Sequence, residues 1–270
     1  MISIIIVNFN GGPLLGECVK RIGVCVKVGH EVIVFDNNSA DGSVDGLDGP
    51  HVRVIRHAEN LGFAKGNNKA LEAASGSWIH FLNPDILVNE KLNDIYEQVL
   101  KNPEDNVLYF TRLADEDGKV QEGRMLVPRL SNYLNRMFRP ANTMYWSIGA
   151  SVLMTRKSCD DLHGWPEDYF MYAEDLDLFY SAQRKGMRIQ ELDCTLIHMG
   201  KVSSGAVWSP SERALVVERA FRRFFAKYGS FLEYVIVRSM QLIYQALRFD
   251  PEFGLSLRSF VRVTMGGGRS

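Results

Sequence analysis

The chain has 270 residues, 46% of them hydrophobic, with 31 Lys and Arg against 32 Asp and Glu. That is enough apolar material for a substantial core, which excludes a disordered chain. A formal net charge of −1 argues against a protein that coats nucleic acid, since neutralising phosphate needs a marked cationic excess. Cys18, Cys25, Cys159 and Cys194 show neither C-x-x-C spacing nor a His at finger spacing, so reduced thiols in a cytosolic protein are expected rather than a zinc module or disulfide frame. No basic n-region or cleavage site opens the sequence, and no window reaches the ~20 apolar residues that cross a bilayer. The nearest window, residues 231–247, is broken by Glu233 and Arg238. Neither export nor a membrane span is expected.

Three apolar runs each end in polar or acidic residues: 4–7 into Asn8, 32–35 into Asp36, and 79–82 into Asn83-Pro84-Asp85. They read as buried strands, and in an open α/β sheet the carboxyl ends of such strands form the ligand crevice. Residues 14–28 carry Leu14, Leu15, Cys18, Val19, Ile22 and Val26 near helical spacing, 52–55 predict a short strand, and 63–74 a helix. This alternation predicts an α/β fold with a mainly parallel sheet, helices on its faces, and a nucleotide-binding half over residues 1–112. Residues 92–101 predict a further helix and 107–112 a strand, followed by the turn Asp115-Glu116-Asp117-Gly118. Residues 123–142 mix Pro128, Pro140 and four Arg without a clean period and predict a mobile loop. Residues 146–155 predict a buried strand, in which Gly149-Ala150-Ser151 either admits a ligand to the backbone or packs strand against helix.

Beyond Ser209 the character changes. Pro210-Ser211-Glu212 opens an amphipathic helix through Tyr228, a second covers 231–247, and the tail from Gly266 to Gly268 is expected to fray. From Ser211 to the end, Lys and Arg outnumber Asp and Glu ten to five. Two readings of this extension stand: a packed scaffold or homodimer contact, or a peripheral surface for anionic lipid.

The strand ends carry the chemistry. Asp36 is placed to accept a hydrogen bond from a base N–H or a ribose hydroxyl, whereas Asn37, Asn38, Ser39 and Asp41 read equally well as turn and capping residues. Asn60-Leu61-Gly62-Phe63-Ala64-Lys65-Gly66-Asn67-Asn68 sets a Gly turn before a helix. Its backbone N–H groups with Lys65 suit a diphosphate, while Lys65 alone reads as a solvated charge. Asp85 suits a hard divalent cation whose shell is completed by substrate phosphates and water.

Together these segments resemble the inverting family 2 glycosyltransferases of GT-A fold, over residue 4 to about residue 198. The likeness runs through Val7-Asn8-Phe9-Asn10, residues 34–43, residues 60–68, residues 81–85, Gly164-Trp165 and residues 170–177. Within that family the chain is most similar to bacterial rhamnosyltransferase-like enzymes of surface polysaccharide assembly. The resemblance implies a catalytic domain over 1–208, its acceptor-binding half being 113–208, with a C-terminal helical extension over 209–270. Asp36 would contact the base, with Val7 and Asn8 lining its pocket, and Asn10, Asn60, Gly62, Lys65, Asn67 and Asn83 would complete the nucleotide-sugar site. Asp85 would ligate Mg²⁺ or Mn²⁺. Asn83 departs from the D-x-D pattern of the family, which weakens the charge available to that metal.

Glu174-Asp175 matches the family's E-D motif, which makes Asp175 the expected general base; Glu174 would orient it or bond the acceptor. Asp177 reads as a first-turn acid that favours the helix dipole. His198 is either a ligand to the metal or diphosphate, or a structural residue at a strand end. Lys201, Ser203 and Ser204 follow as a closing loop or a plain polar one, and Trp165 reads as an acceptor contact or as core. The implied reaction moves a sugar, rhamnose by expectation, from a dTDP- or UDP-sugar to a hydroxyl of a glycan or lipid-linked saccharide. It would take place in the cytoplasm, free or peripheral on the cytoplasmic face of the inner membrane. Two alternatives remain: a catalytically inactive relative acting as a binding or scaffold protein, at which Asn83 hints, and another nucleotide-sugar enzyme such as a nucleotidyltransferase. No G-x-G-x-x-G follows the first strand and no P-loop occurs, which disfavours an NAD enzyme.

Overall fold

Strand β1 (Ile2–Asn8) is buried at every position, as a central strand covered on both faces must be. In the computed structural model, which describes residues 1–121, 123–200 and 208–266, β1 pairs in parallel with β2 (His30–Asp36) and β4 (Trp78–Leu82). β3 (Val52–Arg56) extends the sheet beyond β2. On the other side lie β5 (Ile86–Leu87), β6 (Val107–Ala114), β9 (Ser151–Thr155) and β10 (Arg188–His198). The eight-stranded order is β3-β2-β1-β4-β9-β6-β10-β5, with β9 antiparallel to both β4 and β6, and β5 antiparallel to β10. β6 and β10 are parallel to one another. The sheet is therefore mixed and mainly parallel.

Alternating side chains of β1 feed two cores, as the strand period of two requires. Ile2, Ile4 and Ile6 pack with Leu15, Cys18 and Ile22 of α1 (Gly12–Cys25) and with Leu92, Ile95 and Tyr96 of α3 (Lys91–Lys101). Ile5 and Val7 pack with Ala64 and Ala70 of α2 (Phe63–Ala73), Cys159 of α5 (Arg156–Leu162) and Phe179 of α6 (Glu174–Arg184). Helices thus cover both faces and leave the carboxyl edge of the sheet for loops.

The described chain divides into two compact units. The first contains the sheet and the helices just named. The second comprises residues 126–145, 171–173 and 208–266, with α4 (Leu130–Phe138), α7 (Pro210–Tyr228), α8 (Phe231–Leu247) and α9 (Phe253–Met265). The short strands β7 (Met125–Leu126) and β8 (Tyr145–Trp146) mark where the chain passes between them. Inside the second unit a buried Arg238–Glu218 pair (2.7 Å) is joined by the Tyr234 hydroxyl, which donates to Glu218 Oε1 at 2.9 Å. α7 begins in a capping box between Ser209 and Glu212.

Two expectations are corrected. The segment predicted as a mobile loop forms α4, because Asn132 fastens it: its amide donates to the carbonyls of Val127 and Met144 and accepts from Met144 N–H. Arg129 and the Leu130 N–H also both reach Glu233 at 2.9 Å. These are polar ties, invisible to a search for apolar periodicity. The strand predicted over 146–155 is confined to Ser151–Thr155, since residues 149–150 turn out of the ladder. Lys201, Ser203, Ser204 and the final glycines from Gly267 lie outside the described residues.

Candidate active site

Registers fix where the site can form. Asn8 pairs with Asp36 across β1 and β2, and Ile5 pairs with Phe81 of β4, so Asn8, Asp36 and the residues following Leu82 all lie at one edge of the sheet. β9 runs antiparallel to β4 with Leu82 opposite Ser151, so its amino end opens on that same edge. β6 pairs antiparallel with β9 and parallel with β10, which brings His198, at the carboxyl end of β10, to that edge as well. There β5 folds back so that Ile86 pairs with His198.

At the β1–β2 end, Asn8 is fully buried and serves as a hub. Its amide N–H₂ lies 3.1 Å from Asp36 Oδ1 and within 3.0 Å of the Ser39 and Ser43 hydroxyls, while Oδ1 has no partner among the described residues. The Ser39 N–H donates to Asp36 Oδ2. Asn10 holds the next loop, accepting from Ala40 N–H through Oδ1 and donating its own N–H to Ser39. Asn37, read from sequence as a local cap, is buried and bridges two loops: it donates to Gly62 O and accepts from Leu61 N–H.

The 60–68 segment closes on this corner. Asn60 Oδ1 accepts from Gly62 N–H. Gly62, at φ +83°, takes a backbone shape that side chains rarely adopt, and a Cβ there would lie 2.2 Å from Phe170 O. At Gly66 a Cβ would meet Val7 Cγ1 at 2.9 Å, so α2 sits directly on β1. Lys65 is exposed, whereas Asn67 is buried and bonds back to Phe63 O within the helix. Asn68, which the sequence did not single out, clamps a distant turn: it donates to Trp165 O and Glu167 and accepts from Trp165 N–H.

Trp165 is a core residue, 2% exposed, with its ring edge-on to Phe63 and Phe81 at 5.0 and 5.4 Å. Its ring packing is that of the core reading. Its indole N–H, however, has no partner among the described residues.

The acidic pair opens α6. Two consecutive residues before it, Tyr172 and Ala173, have φ of +68° and +63°, a costly conformation for non-glycine residues. Asp175 accepts from Leu176 N–H at 2.8 Å and from Gly149 N–H at 3.2 Å. Burial raises the pKa of both carboxyls, and the neighbouring charge of Asp175 raises Glu174 further. Glu174 is 7% exposed with Oε2 unpartnered among the described residues, while Asp175 keeps partial access to solvent. Asp177 is fully buried and accepts from Tyr169 and Ser181 hydroxyls, an anchor for the 169–177 segment.

A short backbone path joins this pair to the β4 end. Next to Gly149, the Ala150 carbonyl accepts from Asn83 N–H at 2.8 Å. Asn83 begins the turn closed by Ile86 N–H to Asn83 O, and its side-chain oxygen is buried and unpartnered among the described residues. Within that turn, Asp85 is 7% exposed and its Oδ1 lies 3.5 Å from His198 Nε2. His198 Nδ1 lies 2.9 Å from Gln121 Oε1, and Gln121 Nε2 donates to His198 O. An Nδ1–H donated to Gln121 leaves the Nε2 lone pair facing Asp85, the arrangement a metal-binding imidazole needs. No cluster of three or more His, Cys, Asp or Glu suited to a metal occurs among the described residues. The Asp85–His198 pair fits a cation that takes its remaining ligands from a diphosphate and water. Gln121 had no signal in the sequence.

A family model described as glycosyl transferase family 2 matches residues 3–162, more than half of the chain. The chain belongs to that family: it is a glycosyltransferase of GT-A fold. Among relatives, it is 22% identical over 212 residues to an N-acetylglucosaminyl-diphospho-decaprenol L-rhamnosyltransferase of Mycobacterium tuberculosis, a match covering 66% of this chain and 69% of that protein. It is 29% identical over 114 residues to glycosyltransferase GlyG of Streptococcus pneumoniae, covering 40% and 38%. Among solved folds, it resembles S. aureus TarS 1-349 in complex with UDP-GlcNAc at TM-score 0.59 and 17% identity, covering 97% of this chain and 81% of that one. It also resembles the mannosyltransferase PcManGT of Pyrobaculum calidifontis in complex with GDP-Man and Mn²⁺, at TM-score 0.60 and 16% identity, covering 100% and 76%. Against a longer TarS chain it spans 44% of the length. Among the described residues, no helix is long and apolar enough to cross a membrane.

Proposed function

We propose that the chain is an inverting glycosyltransferase that moves a sugar from a nucleoside diphosphate to a hydroxyl of a glycan or lipid-linked saccharide, with Asp175 as general base. The observation that carries this reading is the path from Asp175 through Gly149-Ala150 to Asn83, two residues from Asp85. It ties the acid pair of α6 to the carboxyl end of β4. The acceptor oxygen attacks the anomeric carbon as the bond from that carbon to the diphosphate oxygen breaks, and Asp175 takes the hydroxyl proton. Its two N–H donors hold the carboxylate in place and leave lone pairs free for that proton. Glu174, raised further than Asp175 by burial and its neighbour's charge, is suited to stay protonated and donate to the acceptor.

Asp36 receives the nucleoside, supported by Asn8 and Asn10, with Val7, Asn60, Gly62, Lys65, Asn67 and Asn83 around the donor and the Trp165 indole N–H toward the acceptor. Asp85 and His198 would hold Mg²⁺ or Mn²⁺. When bound, that ion neutralises charge on the departing diphosphate. The relative named as a rhamnosyltransferase with a lipid-diphosphate acceptor supports a deoxyhexose donor and a lipid-linked acceptor. Domain boundaries at about residues 112 and 208 belong to the same proposal.

A screen of nucleotide sugars for donor hydrolysis, with calorimetric titration of UDP and dTDP, tests it. Metal-dependent binding and turnover abolished by Asp175→Asn are expected. Binding without turnover of any donor would favour the scaffold alternative.

A further inference from the structure

Charge is strongly segregated along the chain. Residues 126–145, 171–173 and 208–266, the second unit, carry twelve Lys and Arg against five Asp and Glu, a net +7; the rest of the described residues carry seventeen against twenty-six, a net −9. The few acids of the second unit are occupied within it. Glu218 pairs with Arg238, Glu233 with Arg129 and Glu252 with Arg213, Glu212 caps α7, and Asp250 accepts from Glu252 N–H. Arg136, Arg139, Arg219 and Arg248 are exposed.

The same unit exposes a continuous apolar stripe. On α8, Leu232, Ile236, Met240, Ile243 and Leu247 are 68, 36, 44, 60 and 74% exposed. Their spacings of four, four, three and four residues keep them on one face of the helix, over a length of roughly 23 Å at ~1.5 Å per residue. The opposite face buries Tyr234, Val237, Arg238 and Leu242. α4, tied to α8 through Arg129–Glu233 and through Gln241 to the Tyr133 hydroxyl, exposes Leu134, Met137 and Phe138 by 51, 72 and 73%. An apolar stripe on a strongly cationic body matches a surface that is anionic outside and hydrocarbon beneath. A second copy of this chain would oppose +7 with +7.

We infer that α8 and α4 dock on an anionic lipid bilayer, lying in its interface with the α8 stripe inserted and the surrounding arginines on the headgroups. Docking of this kind sets the enzyme beside an acceptor carried on lipid, but the inference stands on the second unit alone and does not depend on the chemistry of the site.

Flotation of the full chain with vesicles tests it, using phosphatidylcholine alone and phosphatidylcholine doped with phosphatidylglycerol. Binding is expected to the doped vesicles only and to weaken as salt is raised. The double variant Ile243→Glu/Leu247→Glu should bind at least about tenfold more weakly, with an unchanged circular dichroism spectrum and unchanged donor hydrolysis in vesicle-free buffer. Arg136→Glu/Arg139→Glu, which leaves α8 intact, should lower binding independently. Absence of binding to doped vesicles, equal binding by the variants, or a wild-type dimer that the α8 variant dissociates would overturn the inference. Hydrolysis in vesicle-free buffer reports on the catalytic proposal separately.

Discussion

The backbone N–H of Gly149 donates to Asp175 Oδ2 at 3.2 Å, and a Cβ on residue 149 would lie 3.0 Å from Asp175 Cβ and 2.8 Å from Trp165 Cη2. Glycine is needed there for closeness. Gly149→Ala must displace either a buried indole or the carboxylate, and misplacing a reacting group by even about 1 Å costs on the order of a hundredfold in rate. The variant is therefore expected to lose kcat by roughly ten- to a hundredfold while its nucleotide diphosphate affinity, measured by calorimetry, stays at the wild-type value. A wild-type kcat would show that Gly149 does not position the proposed base.

Asp175→Asn should separate stability from catalysis. Burial raises the folded-state pKa of Asp175, so folding favours the protonated carboxyl. Its contribution to stability is complete at low pH and is lost as pH rises through the raised folded value. The amide variant should thus melt higher than wild type at about pH 8, with the gap closing toward about pH 4. Transfer should fall by roughly 10²- to 10⁴-fold. In the wild type, the rate should decline on the acid side at a pH above the ordinary Asp range, because the base must be ionised. Melting curves at two pH values and a pH–rate profile check both halves, and a variant that is less stable at high pH would contradict the assignment of burial as the cause.

The Gln121–His198 contact predicts a metal phenotype at a residue that touches no metal. With Nδ1 held at 2.9 Å from Gln121 Oε1, the imidazole presents Nε2 toward Asp85; Gln121→Leu releases the ring and its tautomer. Loss of such a partner typically weakens metal affinity about ten- to a hundredfold. The expected result is a higher Mn²⁺ concentration for half-maximal donor hydrolysis in Gln121→Leu, with near wild-type activity at saturating Mn²⁺. Chelation should silence wild type and variant alike. Unchanged metal dependence would remove His198 from the proposed ligand set.

The carboxyl edge of the sheet was legible because strands buried on both faces, β1, β2 and β4, leave unbroken apolar runs whose last polar residue is visible: Asn8, Asp36 and Asn83 with Asp85. The acid pair was legible through its motif. What held those groups was not. Gln121 and His198 are 77 residues apart and Asn68 and Trp165 are 97 apart, separations at which no local pattern reports a contact. Gly149 sits among small residues that read as strand, and only the geometry reveals an amide turned away from the ladder. α9 escaped notice for a different reason: its buried residues are Ser259 and Val263, too few and too polar to give a helical period.

His80 provides the last test, on stability rather than activity. It lies in the middle of β4, fully buried, with Nδ1 2.5 Å from the Tyr96 hydroxyl and Nε2 2.9 Å from the Ser151 hydroxyl. Burial pushes its pKa down to about 3, so the folded protein holds a neutral ring bonded at both nitrogens. The unfolded chain protonates near pH ~6.5. The contribution of His80 is therefore complete above that value and falls by up to about 1.4 kcal/mol per pH unit as pH drops toward the folded value. His80→Phe leaves two buried hydroxyls without their partner and should cost about 2 kcal/mol or more at neutral pH. Having no proton to gain, the variant should lose less stability on acidification, so its deficit should narrow at about pH 4. Denaturant midpoints for both proteins at the two pH values measure this, and a deficit that stays constant would mean that the ring is not held neutral by burial.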